Sequence, residues 1–296
     1  MTQYLTTRQL ESQAWKLYFV AMAWPIYVLV LPVAWSKLGM YALLFIIFPG
    51  TCLFTWMACL MHECWHKYVP NVPNRFFYQL FSYMLVTDPQ LYRLVHGHHH
   101  SKVNTWDDTE FHPLGRIKNT FLRRVYNFCE ILFGVALTFS IQMNVLPRHP
   151  RYKDKYKTGK AAGSVIMWLV IYACLIYASS SLFGVAASDI ALSYTINFWL
   201  CSVMIHHVQL VPHGNLIVEG DWNVRNMKSR NLKNDTLPQK LFHFLTHGDT
   251  REHVLHHTHV AEHARPFPGK VPLPTDAVYI SLHDYAHVLW DMVIKG

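Results

Sequence analysis

Four long apolar stretches constrain this chain more than any other feature of its sequence. They cover roughly residues 17–35, 41–61, 164–187 and 190–211. A helix needs about 20 predominantly apolar residues to cross the hydrocarbon core of a bilayer, and each stretch approaches or meets that length. The short links SKLGM and AASD join the first to the second and the third to the fourth. The pattern predicts an all-α integral membrane protein with four transmembrane helices arranged as two hairpins.

The charge distribution predicts how these helices are oriented. Only 15% of the residues are charged and 52% are hydrophobic, which is typical of membrane proteins. Of the 26 Lys and Arg residues, only Lys37 falls in a short external link. Basic residues collect on the cytoplasmic side, so we expect both termini and the active site there, in the bacterial inner membrane or alternatively the endoplasmic reticulum. The same rule explains the net charge of +8 without a nucleic-acid partner.

Two further apolar segments, 76–86 and 126–146, are not expected to span the membrane. The first is too short. If the second crossed alone, the basic segment PRHPRYKDKYKTGK after it would lie outside, against the charge rule. We expect both to be re-entrant or interfacial helices at the cytoplasmic face. The whole chain, 1–296, then forms a single membrane domain whose helical cytoplasmic cap comprises 62–160 and 212–296.

Three histidine clusters fall in or at the edge of this predicted cap. They are HECWH (His62, His66), HGHHH (His96, His99, His100) and HVLHH (His253, His256, His257). On a helix, spacings of three and four residues place the rings of one cluster on one face, where they can share a metal ion. The pattern H-x-x-H-H has a chance expectation of about 0.1 occurrences per chain, and this chain contains it twice.

Eight clustered imidazoles exceed what one metal ion uses, because zinc sites take three or four protein ligands. They suit two metal ions with open positions, although imidazole binds Fe, Zn, Cu and Ni and leaves the metal undecided. Metal-bound imidazoles commonly donate their second N–H to a carboxylate. We therefore expect several of the flanking acidic residues to support the ligands: Glu63, Asp107, Asp108, Glu110, Asp249 and Glu252.

The order of the three boxes resembles the membrane fatty acid desaturase and hydroxylase superfamily over about residues 15–260. HECWH is similar to the first box of plant-type oleate desaturases, and HGHHHSKVNTWDDTE to the second-box region of acyl desaturases. HVLHH matches the third box in kind. The resemblance implies two iron ions (Fe²⁺) held by the boxes and dioxygen as the oxidant. It also implies attack on unactivated C–H bonds of a fatty acyl or lipid chain.

The family usually supplies one more histidine from the end of the fourth span, where this chain has His206, His207 and His213. By this resemblance we expect His213 to be the ligand, with His207 in reserve and His206 in a packing role. The resemblance also suggests that Gln209 holds a metal-bound water. His98 does not fit the three- and four-residue spacing and is not expected to bind metal.

The chain departs from the family pattern after the third box. Relatives commonly continue with an apolar run, whereas this sequence reads THVAEHARPFPGKVPLPTD. We interpret His259, His263, His283 and His287 in this tail as structural or surface residues. The departure bears on the identity of the substrate more than on metal binding.

The leading hypothesis is an O₂-dependent di-iron desaturase of a fatty acyl or related lipid chain. Hydroxylation and acetylene formation use the same oxidant and stay open. No dinucleotide-binding or haem-binding module is apparent, so we expect electrons from a separate ferredoxin-like or cytochrome donor. Basic cap residues could dock an acidic donor or meet lipid headgroups: Arg123, Arg124, Arg148, Arg151 and Lys153.

Two other classes of function compete with this hypothesis. HECWH fits the H-E-x-x-H signature of an intramembrane zinc protease, with Glu63 as general base, but both H-x-x-H-H boxes would then be unexplained. A metal transporter is the other, yet transport sites lie near the bilayer midplane, and the predicted spans carry no acidic residue in their interiors.

Overall fold

A computed structural model describes residues 14–69, 71–251, 253–258 and 276–296 of the chain. These residues are mostly helical. In chain order the helices are α1 (Ala14–Leu38), α2 (Thr51–Trp65), α3 (Asn74–Met84), α4 (Pro89–Lys102), α5 (Thr120–Phe133), α6 (Val135–Val145), α7 (Thr158–Phe183), α8 (Ala187–His213), α9 (Trp222–Met227), α10 (Leu237–Leu245), α11 (His253–Thr258) and α12 (Leu282–Ile294). Between α1 and α2 lie a 3₁₀ turn (Gly39–Ala42), a single helical turn (Leu43–Phe45) and a π turn (Ile46–Gly50).

Helices α1 and α2 pack side by side around a shared core. Buried α1 residues such as Val20, Trp24 and Val28 recur every four residues, which is the spacing of one helix face. The rings of Trp24 and Phe54 lie 6.5 Å apart between centroids, so α2 folds back along α1. The first two predicted spans therefore form a hairpin in the structure.

Helix α8 is hydrogen-bonded to α1 through two tyrosine hydroxyls. Tyr194 donates to the carbonyl oxygen of Val28 at 2.9 Å, and Tyr27 donates to Oδ1 of Asn197 at 2.8 Å. By contrast, α7 leaves many of its apolar side chains exposed, for example Leu169 at 66%. An exposed apolar helix face fits a lipid environment better than water.

In the part of the chain that the structure describes, three helical segments are long and apolar enough to cross a membrane: Ala14–Trp65, which contains the α1–α2 hairpin, Thr158–Phe183 and Ala187–His213. The bent pair α5–α6 is a further candidate. The predicted, mainly helical class is confirmed, and the candidate spans are consistent with a membrane protein. The third predicted span, 164–187, extends beyond the end of α7. The helix ends at Phe183 because Gly184 has φ +63° and takes the left-handed conformation.

The apolar segment 126–146 is not one straight helix, because the chain bends by 119° between α5 and α6. Gly134 lies at the bend with φ +60°, and a Cβ there would collide with the backbone carbonyl of Ser202 on α8. The hydroxyl of Ser202 donates to the carbonyl oxygen of Phe133 at 2.6 Å and accepts from the N–H of Ala136 at 2.8 Å. Ser202 on α8 is thus hydrogen-bonded to the chain on both sides of the bend.

The cap was predicted to be entirely helical, and the structure corrects this with one small parallel sheet. Strands β1 (Arg230–Leu232) and β2 (Val278–Ile280) pair in register, Arg230 with Val278. Strands of three residues are too short for a period of two to be visible in the sequence.

The sheet anchors the segment that carries the third histidine box. The N–H of Leu232 in β1 donates to the carbonyl oxygen of Thr250 at 2.8 Å. The side-chain oxygen of Asn231 accepts from the N–H of Val254 in α11 at 3.1 Å. These bonds connect β1 to Thr250, just before α11, and to Val254 in its first turn.

Candidate metal centre

Four helices deliver the predicted ligand histidines to one place. His62 lies in the last turn of α2 and His66 directly after it, the second box lies on α4, His213 is the last residue of α8, and the third box forms α11. Helix α4 has a strong start, because Asp88 accepts hydrogen bonds from the N–H groups of Gln90 and Leu91 and Pro89 occupies the first position. Eight of the nine histidines are buried.

The first group comprises His62, His66, His96, His100 and His256, whose ligand atoms all lie within 4.8 Å of one another. The Nε2 atoms of His62 and His96 are 2.9 Å apart, and those of His100 and His256 are 3.2 Å apart. All three boxes therefore contribute to this group.

The second group comprises His99, His213 and His257, again within 4.8 Å. His253 joins it, because its Nε2 lies 2.9 Å from that of His213 and 3.0 Å from that of His257. The two groups are adjacent, with the rings of His100 and His257 5.0 Å apart between centroids.

This donor set fits two metal ions. Metal–nitrogen bonds of about 2.0–2.1 Å place neighbouring ligand nitrogens about 3 Å apart, which is the spacing of the Nε2 atoms of His62 and His96 at 2.9 Å. Without a metal, ring nitrogens at this distance cannot all be paired as donor and acceptor, since a neutral imidazole carries one N–H. Imidazole nitrogens suit iron among other transition metals.

Partners at the second nitrogen orient several of these rings: hydrogen bonds do so at His96, His99 and His213, and a more distant carboxylate lies near His253. The Nδ1 atom of His96 lies 3.0 Å from Glu110 Oε2, and that of His99 lies 2.8 Å from Asp108 Oδ2. The corresponding distances are 3.6 Å from His253 to Asp249 Oδ2 and 3.0 Å from His213 to Asn104 Oδ1.

The other residues that were predicted to support the ligands make the following contacts. Glu63 lies with its Oε1 3.9 Å from Nδ1 of His247. The carboxylate of Asp107 is 74% exposed and pairs with Lys102 at 3.5 Å. Gln209 donates to Glu110 Oε1 at 2.6 Å. Glu252 lies outside the described residues.

The other histidines singled out in the sequence lie apart from the two groups. His98 lies 2.8 Å from the carbonyl oxygen of Asp107 through its Nε2. His206 lies 3.1 Å from Glu130 Oε1, and Nδ1 of His207 lies 2.6 Å from the hydroxyl of Tyr285. The tail residues His283 and His287 are exposed on α12, and His259 and His263 lie outside the described residues.

Burial shapes the charge state of the centre. Desolvation, together with neighbouring imidazoles, holds the pKa values of His100, His256 and His257 well below 6.5. Burial would also lower the pKa of His99, but the adjacent Asp108 carboxylate outweighs it and raises that pKa. Burial alone would raise the pKa of Glu110, yet the imidazoles of His96 and His99 lower it to about 2. Neutral imidazoles and ionised carboxylates are the forms that support a metal ion.

A cavity of about 720 Å³ adjoins the histidines. The end of the cavity next to the histidine groups is lined by His62, His96, His99 and His213, and its walls elsewhere are largely apolar. Phe54 and Phe198 line this apolar part, and their rings meet edge-to-face at 5.7 Å. Phe54 lies eight residues before His62 on α2, which corresponds to about 12 Å along the helix.

Several residues that contact the centre were not identified from the sequence, among them Asn104 and Tyr92. Asn104 bonds to His213 and takes a left-handed φ of +57°, and the motif NTWDD after the second box was the available signal. Tyr92 stacks on the ring of His96 at 5.3 Å. It lies four residues earlier on α4, so the helical spacing alone could have suggested this contact.

Comparison with known proteins agrees with this arrangement. A family model described as fatty acid desaturase matches residues 38–267, which is most of the chain and includes all three histidine boxes. No curated protein and no solved structure matches the sequence. The extent of the family match shows that this chain belongs to the fatty acid desaturase family.

Proposed function

We propose that this protein is an O₂-dependent di-iron oxidoreductase that introduces a double bond into a fatty acyl or related lipid chain. The observation that carries this proposal is the direct contact between a two-group histidine centre and a largely apolar cavity of about 720 Å³. An acyl chain matches such a cavity chemically, because apolar walls bind it without requiring buried polar groups to be satisfied.

In this proposal, one iron is held by His62, His66, His96, His100 and His256 and the other by His99, His213, His253 and His257. Bound iron would supply dioxygen activation and the oxidation of C–H bonds. The protein's carboxylates then orient the rings, Glu110 at His96, Asp108 at His99 and Asp249 at His253. Gln209, through its bond to Glu110, is placed to hold a water at the cavity wall.

The apolar end of the cavity supplies positioning. The rings of Phe54, Phe198 and Tyr172 form a connected group, with Tyr172 and Phe198 5.4 Å apart between centroids. We define these three residues as the aromatic floor. A chain whose methyl end rests on this floor presents a fixed carbon to the histidines, so the floor sets the position of attack.

We extend the proposal to membrane topology. The hairpin of α1 and α2, together with α7 and α8, supplies four spans, and the charge rule places the histidine centre and both termini in the cytoplasm. The bent pair α5–α6 would then enter the membrane and return. The basic cap residues, for example Arg124 and Arg151, face either lipid headgroups or a separate ferredoxin-like or cytochrome electron donor.

The protease hypothesis receives no support from the geometry. His62 and His66 share their group with His96, His100 and His256, so they are not two ligands of a separate three-ligand zinc site. Desaturation is the reaction that we propose; hydroxylation and acetylene formation differ from it in how the chain is placed, and product analysis distinguishes them.

Metal analysis and product analysis test the proposal together. We expect about two irons per chain in the purified protein and an unsaturated acyl product, identified by mass spectrometry, in cells that express it. His99→Ala should lose iron and product, whereas His283→Ala, at an exposed position on α12, should keep both. One zinc per chain with proteolysis that Glu63→Ala abolishes would refute the proposal.

A further inference from the structure

A buried carboxyl–imidazole pair, Glu130 with His206, lies between α5 and α8 in addition to the histidine centre. Glu130 Oε1 is 3.1 Å from Nε2 of His206, a close contact without the alignment of a hydrogen bond, and the two side chains are only 4% and 1% exposed. Burial of ionisable groups is costly. In membrane proteins such groups commonly mark proton or ion pathways. The function of the metal ligands and their supporting carboxylates does not account for this pair.

A small cavity extends from Glu130 to the exposed side chain of Leu114. It has a volume of about 30 Å³, and a water molecule needs about 10–15 Å³. Its wall includes Glu130, Tyr126 and Arg123, together with Leu114 of an exposed loop. Among the residues that the structure describes, the Tyr126 hydroxyl and Nε of Arg123 are buried polar atoms without a protein hydrogen-bond partner. Polar atoms of this kind around a water-sized cavity indicate a place for water.

The cavity and the carboxyl–imidazole pair also approach the metal centre. His213 lines both the small cavity and the large apolar one. The ring of Phe111 lies 6.4 Å from that of His206 and 5.0 Å from that of His213. His206 is also one helical turn before Gln209, which bonds to Glu110 at 2.6 Å. The pair therefore lies between a route to the surface and the carboxylate that contacts His96.

The proposed reaction requires such a route. Removal of two hydrogen atoms from an acyl chain by one O₂ forms a carbon–carbon double bond and two water molecules. The balance takes two electrons from a one-electron donor and two protons from solvent. The acyl cavity, with its largely apolar walls, is unsuited to carry protons.

We propose that the small cavity is the proton inlet of this enzyme, with Glu130 and His206 as its relay. The inference rests on the proposed function. Water in the small cavity donates a proton to the Glu130 carboxylate, which passes it to Nε2 of His206. His206 releases a proton from Nδ1, a buried atom without a protein hydrogen-bond partner, to water on the side of α8 on which Gln209 meets Glu110. Glu130 and His206 thereby carry protons inward from the cavity. Neither residue contacts the substrate.

Glu130→Gln tests the inlet, because it preserves the size of the side chain and removes its exchangeable carboxyl proton. We expect product formation to fall about tenfold or more, with more peroxide released per electron consumed. Iron content and melting temperature should stay at wild-type values. Glu130→Asp should recover part of the rate, and the exposed Glu219→Gln is the matched control.

A second measurement does not depend on turnover. In metal-free protein at acid pH, transfer to D₂O should shift the infrared carbonyl band of the protonated Glu130 carboxyl within seconds. The difference spectrum against Glu130→Gln identifies this band. Exchange over hours would show that solvent does not reach the residue and would overturn the inlet.

The remaining outcomes are decisive as well. Wild-type product formation and coupling in Glu130→Gln would overturn the relay. A loss of iron or of the folded state in that variant, or an Asp variant no better than Gln, would assign the pair to packing between α5 and α8. If the wild-type protein itself forms no oxidised product, the proposed function fails, whereas the infrared exchange still reports on solvent access to Glu130.

Discussion

The Nε2 atoms of His62 and His96 lie 2.9 Å apart, although the two residues belong to different helices. Without a metal ion, several such contacts bring nitrogen lone pairs together. We therefore expect removal of iron by a chelator to lower the melting temperature, since a metal present at 100 times its Kd stabilises the folded state by about 2.7 kcal/mol. Thermal unfolding before and after chelation measures this difference. Re-addition of Fe²⁺ should restore stability, and an unchanged melting temperature would contradict a structural contribution from the metal.

Asp108→Asn should weaken iron binding by about 10–100-fold, because the carboxylate that orients His99 would become a neutral amide. The two groups lie 2.8 Å apart in a buried site. Asp107→Asn is the matched control, since its carboxylate is 74% exposed and pairs with Lys102. Iron titration of the metal-free variants compares the two, and equal affinities would show that the Asp108 contact does not support the metal.

The metal-free protein should lose stability as the pH falls below about 6.5. The pKa values of His100, His256 and His257 are lowered in the folded state, so the unfolded chain takes up protons first and becomes favoured. The raised pKa of His99 offsets part of this loss.

Melting temperatures of metal-free protein at pH 7.5, 6.5 and 5.5 would record the trend. His283→Ala should follow the wild-type curve, because this histidine is exposed. Stability that rises towards acid pH would refute the assignment of neutral, buried rings.

Phe54→Ala should move the position of attack further from the methyl end of the acyl chain. Removal of this ring deepens the aromatic floor, so more carbons fit beyond the histidines. The substitution should also cost about 3–5 kcal/mol of stability, as expected for truncation of a buried phenylalanine. Product mass spectrometry would locate the double bond, with the exposed Phe121→Ala as control. An unchanged position would place the methyl end elsewhere.

Gly134→Ala should impair folding. The backbone there has φ +60° and ψ −142°, a conformation that costs other residues about 1–3 kcal/mol, and the new Cβ would collide with the Ser202 carbonyl. Gly163→Ala on α7 is a matched control, because a methyl group there would meet none of the described neighbouring atoms within 4 Å. The melting temperature and the folded yield in detergent would compare the two variants. Equal behaviour would mean that the bend can relax.

The features that were predicted correctly repeat regularly along the sequence. Long apolar runs indicated the long helices that could span a membrane, and the three- and four-residue spacing of the histidines indicated rings that lie together in the structure. Contacts such as Glu130 with His206 or Asn104 with His213 depend on how distant helices pack. No periodic pattern in the sequence predicts these contacts. The same is true of the pairing between β1 and β2.

The pairing of β1 with β2 has a consequence for the order of assembly. β2 at Val278–Ile280 helps to hold β1, which in turn contacts the segment carrying the third box. During synthesis, the first two boxes leave the ribosome long before this strand does. We therefore expect the histidine centre to become complete, and metal to be loaded, only after the last strand has been made.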